Sequence, residues 1–288
     1  MSGPTASTTA DGSRLHLQHG PIDLIIEAWG GDASDVADGY RRAWVRFQPL
    51  LDELVAELPS LRQPLDDGLP GPASPVGRRM AAAVRPFTDR FITPMAAVAG
   101  AVADEICAAM VAGGNLHRVY VNDGGDIALH LSPGESFEVG LVPVPNRPTL
   151  LGKVTVRAHE PIRGVATSGR HGRSFSLGIA DAVTVLAADA AGADAAATVI
   201  ANAVDLPGHP AIRRVRASEL EPDSDLGSRL ITAEVGPLGA AEVAQALAAG
   251  VEEAERMRAD GLLAAAVLCL DDQVAAVASP VLASAVGG

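Results

Sequence analysis

The chain has 288 residues, with 22 Lys and Arg against 35 Asp and Glu, a net charge of −13. A general nucleic-acid binder needs a basic footprint that exchanges for counterions, so this acid excess excludes that class. Hydrophobic residues make up 48% and aromatics only 3%, which is enough apolar surface for a folded chain and predicts a core of small side chains.

Residues 1–13 (MSGPTASTTADGS) have neither a positive n-region nor an apolar h-region, so they read as a flexible tail and not a signal peptide. The cytoplasm is then the expected compartment. LHLQH alternates, Gly20-Pro21 turns, and IDLIIEAW continues, which predicts a hairpin. Val36, Tyr40, Trp44, Phe47, Leu51, Leu54 and Leu58 recur at helical spacing after Ser34, a candidate N-cap. A proline-rich stretch from Pro59 to Pro75 predicts a loop, and Val76–Phe87 a shorter helix. Thr93-Pro94 opens a helix of small residues that ends at Gly113-Gly114.

Next come HRVYVN, the turn Asp123-Gly124-Gly125, DIALHL and SFEVGLV, an antiparallel stretch, and a loop over 146–151. A second round follows, with extended runs KVTVRA, IRGVATSG and SFSLGIADAVTVLA, then a small-residue helix, GADAAATVIANAV. RLITAEV predicts a strand, AAEVAQALAAGVEEAERMRA an amphipathic helix, and LLAAAVLCL with QVAAVA a closing hairpin. The expected class is α+β, a largely antiparallel sheet packed with helices in two pseudo-equivalent halves, about 14–150 and 151–288. The apolar runs 91–103 and 261–270 stop at Asp104-Glu105 and Asp271-Asp272, short of the ~20 residues of a bilayer span, so no membrane partner is expected. Cys107 and Cys269 stand in apolar runs and read as buried thiols, not a disulfide framework or zinc site.

Three segments carry candidate chemistry. Asn122-Asp123-Gly124-Gly125-Asp126 exposes backbone amides that can approach a phosphate or ring, and it equally fits an ordinary hairpin turn. Thr167-Ser168-Gly169-Arg170-His171-Gly172-Arg173-Ser174 ends an apolar strand in hydroxyls, glycines and guanidinium groups, donors suited to an anionic small molecule. With Arg163 it is a basic cluster in an acidic chain, and His171 is a candidate for proton transfer. Asp194 and Thr198 share one helix face, hard oxygens of the kind Mg²⁺ accepts, or a helix cap with a core threonine. The helix of Gly100 reads, by itself, as a packing device ending in Asp104.

Taken in order, these segments resemble the ApbE-like superfamily. Its best-known members bind FAD and, with Mg²⁺, transfer FMN onto a threonine. Gly100 and Asp104 match its Gly-x-x-x-Asp helix, and Asn122, Gly124, Gly125 and Asp126 its Asn-x-Gly-Gly-Asp turn. Ala166 to Gly169 match its Thr-Ser-Gly segment, and Val183-Thr184-Val185 with Ala193 to Thr198 match its Val-Thr-Val strand and Ala-Asp-Ala-x-Ala-Thr helix. The resemblance covers about residues 90–205 and implies a T-fold-like fold. It implies Mg²⁺ ligands at Asp194, Thr198 and a backbone carbonyl near Val98. It implies flavin-nucleotide contacts at Gly100, Asn122 to Asp126 and Thr167 to Gly169; from the residues themselves, Arg170 and Arg173 are expected to take phosphate or carboxylate charge, with Ser174 beside them in the site.

Departures from the pattern matter as well. The transferases' Tyr-Ser-His-Ile-x-Asp-Pro segment is compressed here to Ser174–Asp181, without His or Pro, and Ala99 stands where lysine is usual. With no export signal, the chain looks like the short cytoplasmic branch. Three readings result. The first is an enzyme of the transferase type binding FAD or a related nucleotide with Mg²⁺, in which His171 or Asp181 moves protons. The second is a non-catalytic partner or assembly subunit in sulfur, homocysteine or ferredoxin-linked metabolism. The third is a true FMN transferase with a substitute base. Small-residue helices and an antiparallel sheet are compatible with a homodimer.

Overall fold

The computed structural model describes residues 3–9, 11–66, 68, 71–141 and 152–278. Its first elements are β1 (Thr5–Thr8), β2 (Arg14–His19), β3 (Ile22–Gly30), α1 (Ala33–Leu61), α2 (Pro75–Val84) and α3 (Val98–Val111). Then come β4 (Leu116–Asp123), β5 (Asp126–Leu131), β6 (Ser136–Leu141), β7 (Gly152–Arg157), β8 (Gly164–Ser168), β9 (Ala182–Ala187) and α4 (Ala190–Ala203). The last are β10 (Ile212–Arg216), α5 (Ala217–Leu220), β11 (Leu230–Val235), α6 (Ala240–Ala259), β12 (Ala265–Leu270) and β13 (Gln273–Ala278). The loop expected over 146–151 lies outside the described residues. The mixed α+β class with antiparallel pairing is what the sequence predicts.

Two compact units divide the chain. The first holds Met1–Phe137, Val156–Ala166 and Ala188–Asp194; the second holds Glu138–Thr155, Thr167–Ala187 and Ala195–Gly288. The division is discontinuous in sequence.

In the first unit, strands β1 to β5 form an antiparallel meander, and β8 joins β5 through Ile127↔Val165 and Ala128↔Gly164. Period-two alternation puts Leu15, Leu17, Leu24, Ile26, Val119 and Val121 on one face, where α1 and α3 bury them. Each such side chain taken fully from water contributes about 1.5–3 kcal/mol. Phe47, Leu50, Ile106 and Met110 fill the helix side of this core. The opposite face carries a small aromatic cluster of Trp29, Tyr120 and Phe137, with the Arg118 guanidinium 4.4 Å from the Trp29 ring centre.

Three expectations change here. Thr5–Thr8 is an edge strand paired to β2, not a flexible tail. Asp32, not Ser34, caps α1: its carboxylate accepts from the N–H groups of Ser34 and Asp35, and Asp35 accepts from Asp32 N–H. The helix then runs through Pro59 to Leu61. Finally, Pro94–Val111 is long and apolar enough to cross a membrane, with mean hydropathy 1.5, yet 56% of it is buried within the fold. Its helix α3 packs on α1, α2, β4 and β5, as a core helix does.

The second unit is built on β9, β12 and β13, antiparallel throughout, with α6 on β12 and β13. Strands β10 and β11 form a separate antiparallel pair. The run expected to be extended from Ser174 becomes a strand only at Ala182. Before that point Leu177 N–H donates to Asn202 Oδ1 and Ile179 N–H to the Val204 carbonyl, so these amides are spent outside any ladder.

Candidate functional site

Four N–H groups at the start of any α-helix lack intrahelical partners. In the first unit, α3 and the first turn of α4 supply acceptors to each other. Asp104 of α3 accepts from Ala190 N–H at 3.1 Å and Ala191 N–H at 2.9 Å, while Asp189 takes Gly192 N–H at 2.7 Å. In return Asp194 Oδ2 accepts from Gly100 N–H at 3.1 Å, near the start of α3, where Ala97 offers no side-chain cap. Two glycines let α4 start where it does, Gly100 against α3 and Gly164 against β8. A Cβ on Gly100 would overlap the Ala190 carbonyl, and one on Gly164 would overlap the Asp189 carbonyl. Gly100 is therefore a packing residue whose amide serves Asp194.

Burial holds the Asp194 carboxyl well above the usual carboxylate range, and the charges of Asp126 and Asp123 push it further up. The amides of Gly100 and Ala99 pull the other way and lose. The Asn122–Asp126 segment thus faces Asp194 electrostatically. Its glycines are fixed by the turn: Gly124 and Gly125 have φ of 64° and 121°, as a two-residue hairpin turn requires. Asn122 Oδ1 accepts from Gly125 N–H at 2.8 Å, so its side chain braces the turn. A Cβ on Gly125 would meet open space, so the outer surface of the turn is approachable. Val98 opens α3, where its carbonyl runs along the helix toward residue 102. The start of that helix gives Asp194 its donors, the amides of Gly100 and Ala99. Among the described residues no three His, Cys, Asp or Glu side chains form a metal cluster.

In the second unit the predicted hydroxyls meet in pairs: Thr167 with Thr184 at 2.9 Å, and Ser168 with Thr198 at 3.5 Å. Gly169, at φ 145°, passes over the Asp181 backbone, where a Cβ would crowd the Asp181 carbonyl. Arg170 is not a free anion donor: Nε and Nη2 lie 2.8 and 2.6 Å from Asp181 Oδ1. His171 Nε2 is 3.1 Å from the same oxygen. Asp181 is buried and engaged at both oxygens, and so anchors this loop. In the first unit Arg163 is likewise occupied, by the carbonyls of Ala158, Glu160 and Ile162. Arg173 and Ser174 are exposed, and Arg173 makes no ion pair among the described residues.

Sequence reasoning missed what Asp104, Asp123 and Asp189 do. The signal available was only their position at turns and in a small-residue helix, because what Asp104 and Asp123 act on lies far off in the chain.

Comparison with known proteins places these features in context. A family model described as AbpE bacteria matches residues 6–276. A UPF0280 protein of Methanopyrus kandleri is 41% identical over 131 residues, 45% of this chain and 49% of its own length. UPF0280 proteins of Methanothrix thermoacetophila and Methanosphaerula palustris are 39% and 34% identical, over 46% and 57% of this chain and 53% and 67% of their own lengths. The chain thus spans about half the length of the first two relatives. Among solved structures, the apo form of Pseudomonas stutzeri flavinyl transferase ApbE aligns with a TM-score of 0.42 and 13% identity, covering 99% of this chain and 96% of that one.

Proposed function

The chain belongs to the AbpE bacteria family, and from that premise we propose that it binds a flavin or related anionic nucleotide together with Mg²⁺, as a relative of the flavin transferases. The observation that carries the reading is Asp194. A buried carboxylate that feels the negative charges of Asp126 and Asp123 gains from a divalent cation. The donor set suits Mg²⁺ in particular. That ion keeps several waters and takes one or two protein carboxylates plus substrate phosphates, so a closed cluster of three side-chain ligands is not needed. Asp194 holds the cation in this reading, with Asp126 adding negative potential. The open space at Gly125, beside the exposed Gly124, admits a phosphate or ring at the turn.

When bound, Mg²⁺ supplies charge neutralisation to phosphate oxygens. The chain's own part is to place the carboxylate: Gly100 lets α4 start close to α3, Gly164 lets it start close to β8, and Asp104 fixes that start. Titration of the purified chain with FAD, FMN and ADP, with Mg²⁺ or with EDTA, tests the reading. Nucleotide binding that weakens when Mg²⁺ is chelated supports it. No binding of any of the three at millimolar concentration, with or without Mg²⁺, refutes it.

A further inference from the structure

The second unit holds a buried carboxylate that gathers donors from separate stretches of chain. Asp181 is 6% exposed. Its Oδ1 takes Arg170 Nε at 2.8 Å and Nη2 at 2.6 Å and lies 3.1 Å from His171 Nε2; its Oδ2 accepts from Asp271 N–H at 2.6 Å. The backbone repeats the attachment. Arg170 N–H donates to the Ala180 carbonyl, Asp181 N–H to the Cys269 carbonyl, and Gly172 N–H to the Gly169 carbonyl. Asp271 adopts φ 53° to deliver its amide, a left-handed conformation uncommon outside glycine. A loop on the surface is thereby pinned from beneath by side chain and main chain together.

What the pinned loop presents is specific. The carboxylate is shielded and both its oxygens are in use. The His171 side chain is 37% exposed and touches Asp181 through one ring nitrogen only. A neutral imidazole carries one N–H and one lone pair, and the partner of one nitrogen decides which. A carboxylate beside Nε2 puts the proton there and leaves the lone pair on Nδ1. Two residues on, the exposed Arg173 offers a guanidinium with no ion pair among the described residues.

We infer that His171 is a proton acceptor, held by Asp181 through Nε2–H, that presents Nδ1 beside Arg173 to a phosphate-bearing ligand. Asp181 is then a positioning residue, and Arg170 closes its charge. In the step so defined, a proton leaves a ligand O–H for His171 Nδ1. The O–H electron pair stays on oxygen, the ring becomes imidazolium, and no other bond forms or breaks. The inference stands apart from the Asp194 reading, since neither the cation nor the flavin enters it.

Long-range ¹H–¹⁵N spectra of ¹⁵N-histidine-labelled full chain test it, with His171→Gln assigning the signal. The expected result is the Nε2–H tautomer for neutral His171. Inorganic phosphate should shift its Nδ1 resonance, and Arg173→Ala should weaken that response at least tenfold. Asp181→Asn should erase the tautomer preference. An Nδ1–H tautomer or an even mixture in the wild-type chain overturns the inference, and that spectrum decides even if Asp181→Asn fails to fold. A His171 signal indifferent to phosphate overturns the ligand half.

Discussion

Asn in place of Asp104 probes how α3 and α4 hold each other. Burial raises the Asp104 carboxyl from the ordinary 3.8 to about 6, against the pull of the Ala190 and Ala191 amides and with a push from Asp189. A folded-state value above the unfolded one means the native protein binds this proton more tightly. The stabilisation is therefore full below about pH 4 and is lost as pH rises through about 6. A shift of roughly 2 units at 1.36 kcal/mol each is worth up to about 3 kcal/mol, less where water screens the partly exposed carboxylate. Asn keeps one acceptor for the α4 amides and titrates not at all. The stability of wild type minus that of Asp104→Asn should thus fall by up to about 3 kcal/mol between about pH 4 and pH 7.5. Urea unfolding of both proteins across that range measures it. A difference constant within about 0.5 kcal/mol would refute the assignment of Asp104 as a buried carboxylate on the α4 start.

Gly100→Ala places a methyl group on the Ala190 carbonyl and should cost about 1–3 kcal/mol or more, read as a drop in thermal midpoint. An unchanged midpoint would mean that α3 and α4 are not in contact there. Asp271→Gly relieves a left-handed residue while keeping the amide that Asp181 needs, and should stabilise by about 1 kcal/mol in urea unfolding. Loss of stability instead would show that the Asp271 side chain contributes more than its backbone costs. Burial pushes the Cys107 and Cys269 thiols up to about 12 and about 11. A thiol reagent at about pH 8 should leave both unlabelled until the chain unfolds, because the thiolate is the reactive form.

Much of the fold is legible in the sequence because local rules decide it. The alternation of IDLIIEAWG, the helical spacing from Val36 to Leu58 and the Gly124-Gly125 turn all fold as their patterns require. Strand β1, TAST, escapes because an exposed edge strand needs no apolar alternation and is specified by its pairing to β2. Strand β10, IRRVR, hides behind its charges for the same reason. The candidate site divides along similar lines. Asp194 and the Gly-Gly turn stand out as motifs, whereas the partners of Asp104 lie 86 and 87 residues away. The arginines show the limit most plainly. In sequence Arg163, Arg170 and Arg173 are equivalent cations, yet carbonyls occupy the first and Asp181 the second. Only folding reveals which guanidinium is already paired.

The central claim is that Asp194 holds a divalent cation for a bound nucleotide. Calorimetric titration of Mg²⁺ into wild-type chain and Asp194→Asn, each with FAD present, tests it most directly. Asn preserves the acceptor for Gly100 N–H, so the fold at α3 is kept while the charge is removed. The account predicts one saturable Mg²⁺ site in the wild type and at least ~10-fold weaker binding in the variant, about 1.4 kcal/mol. Equal Mg²⁺ affinity in the two proteins would contradict it.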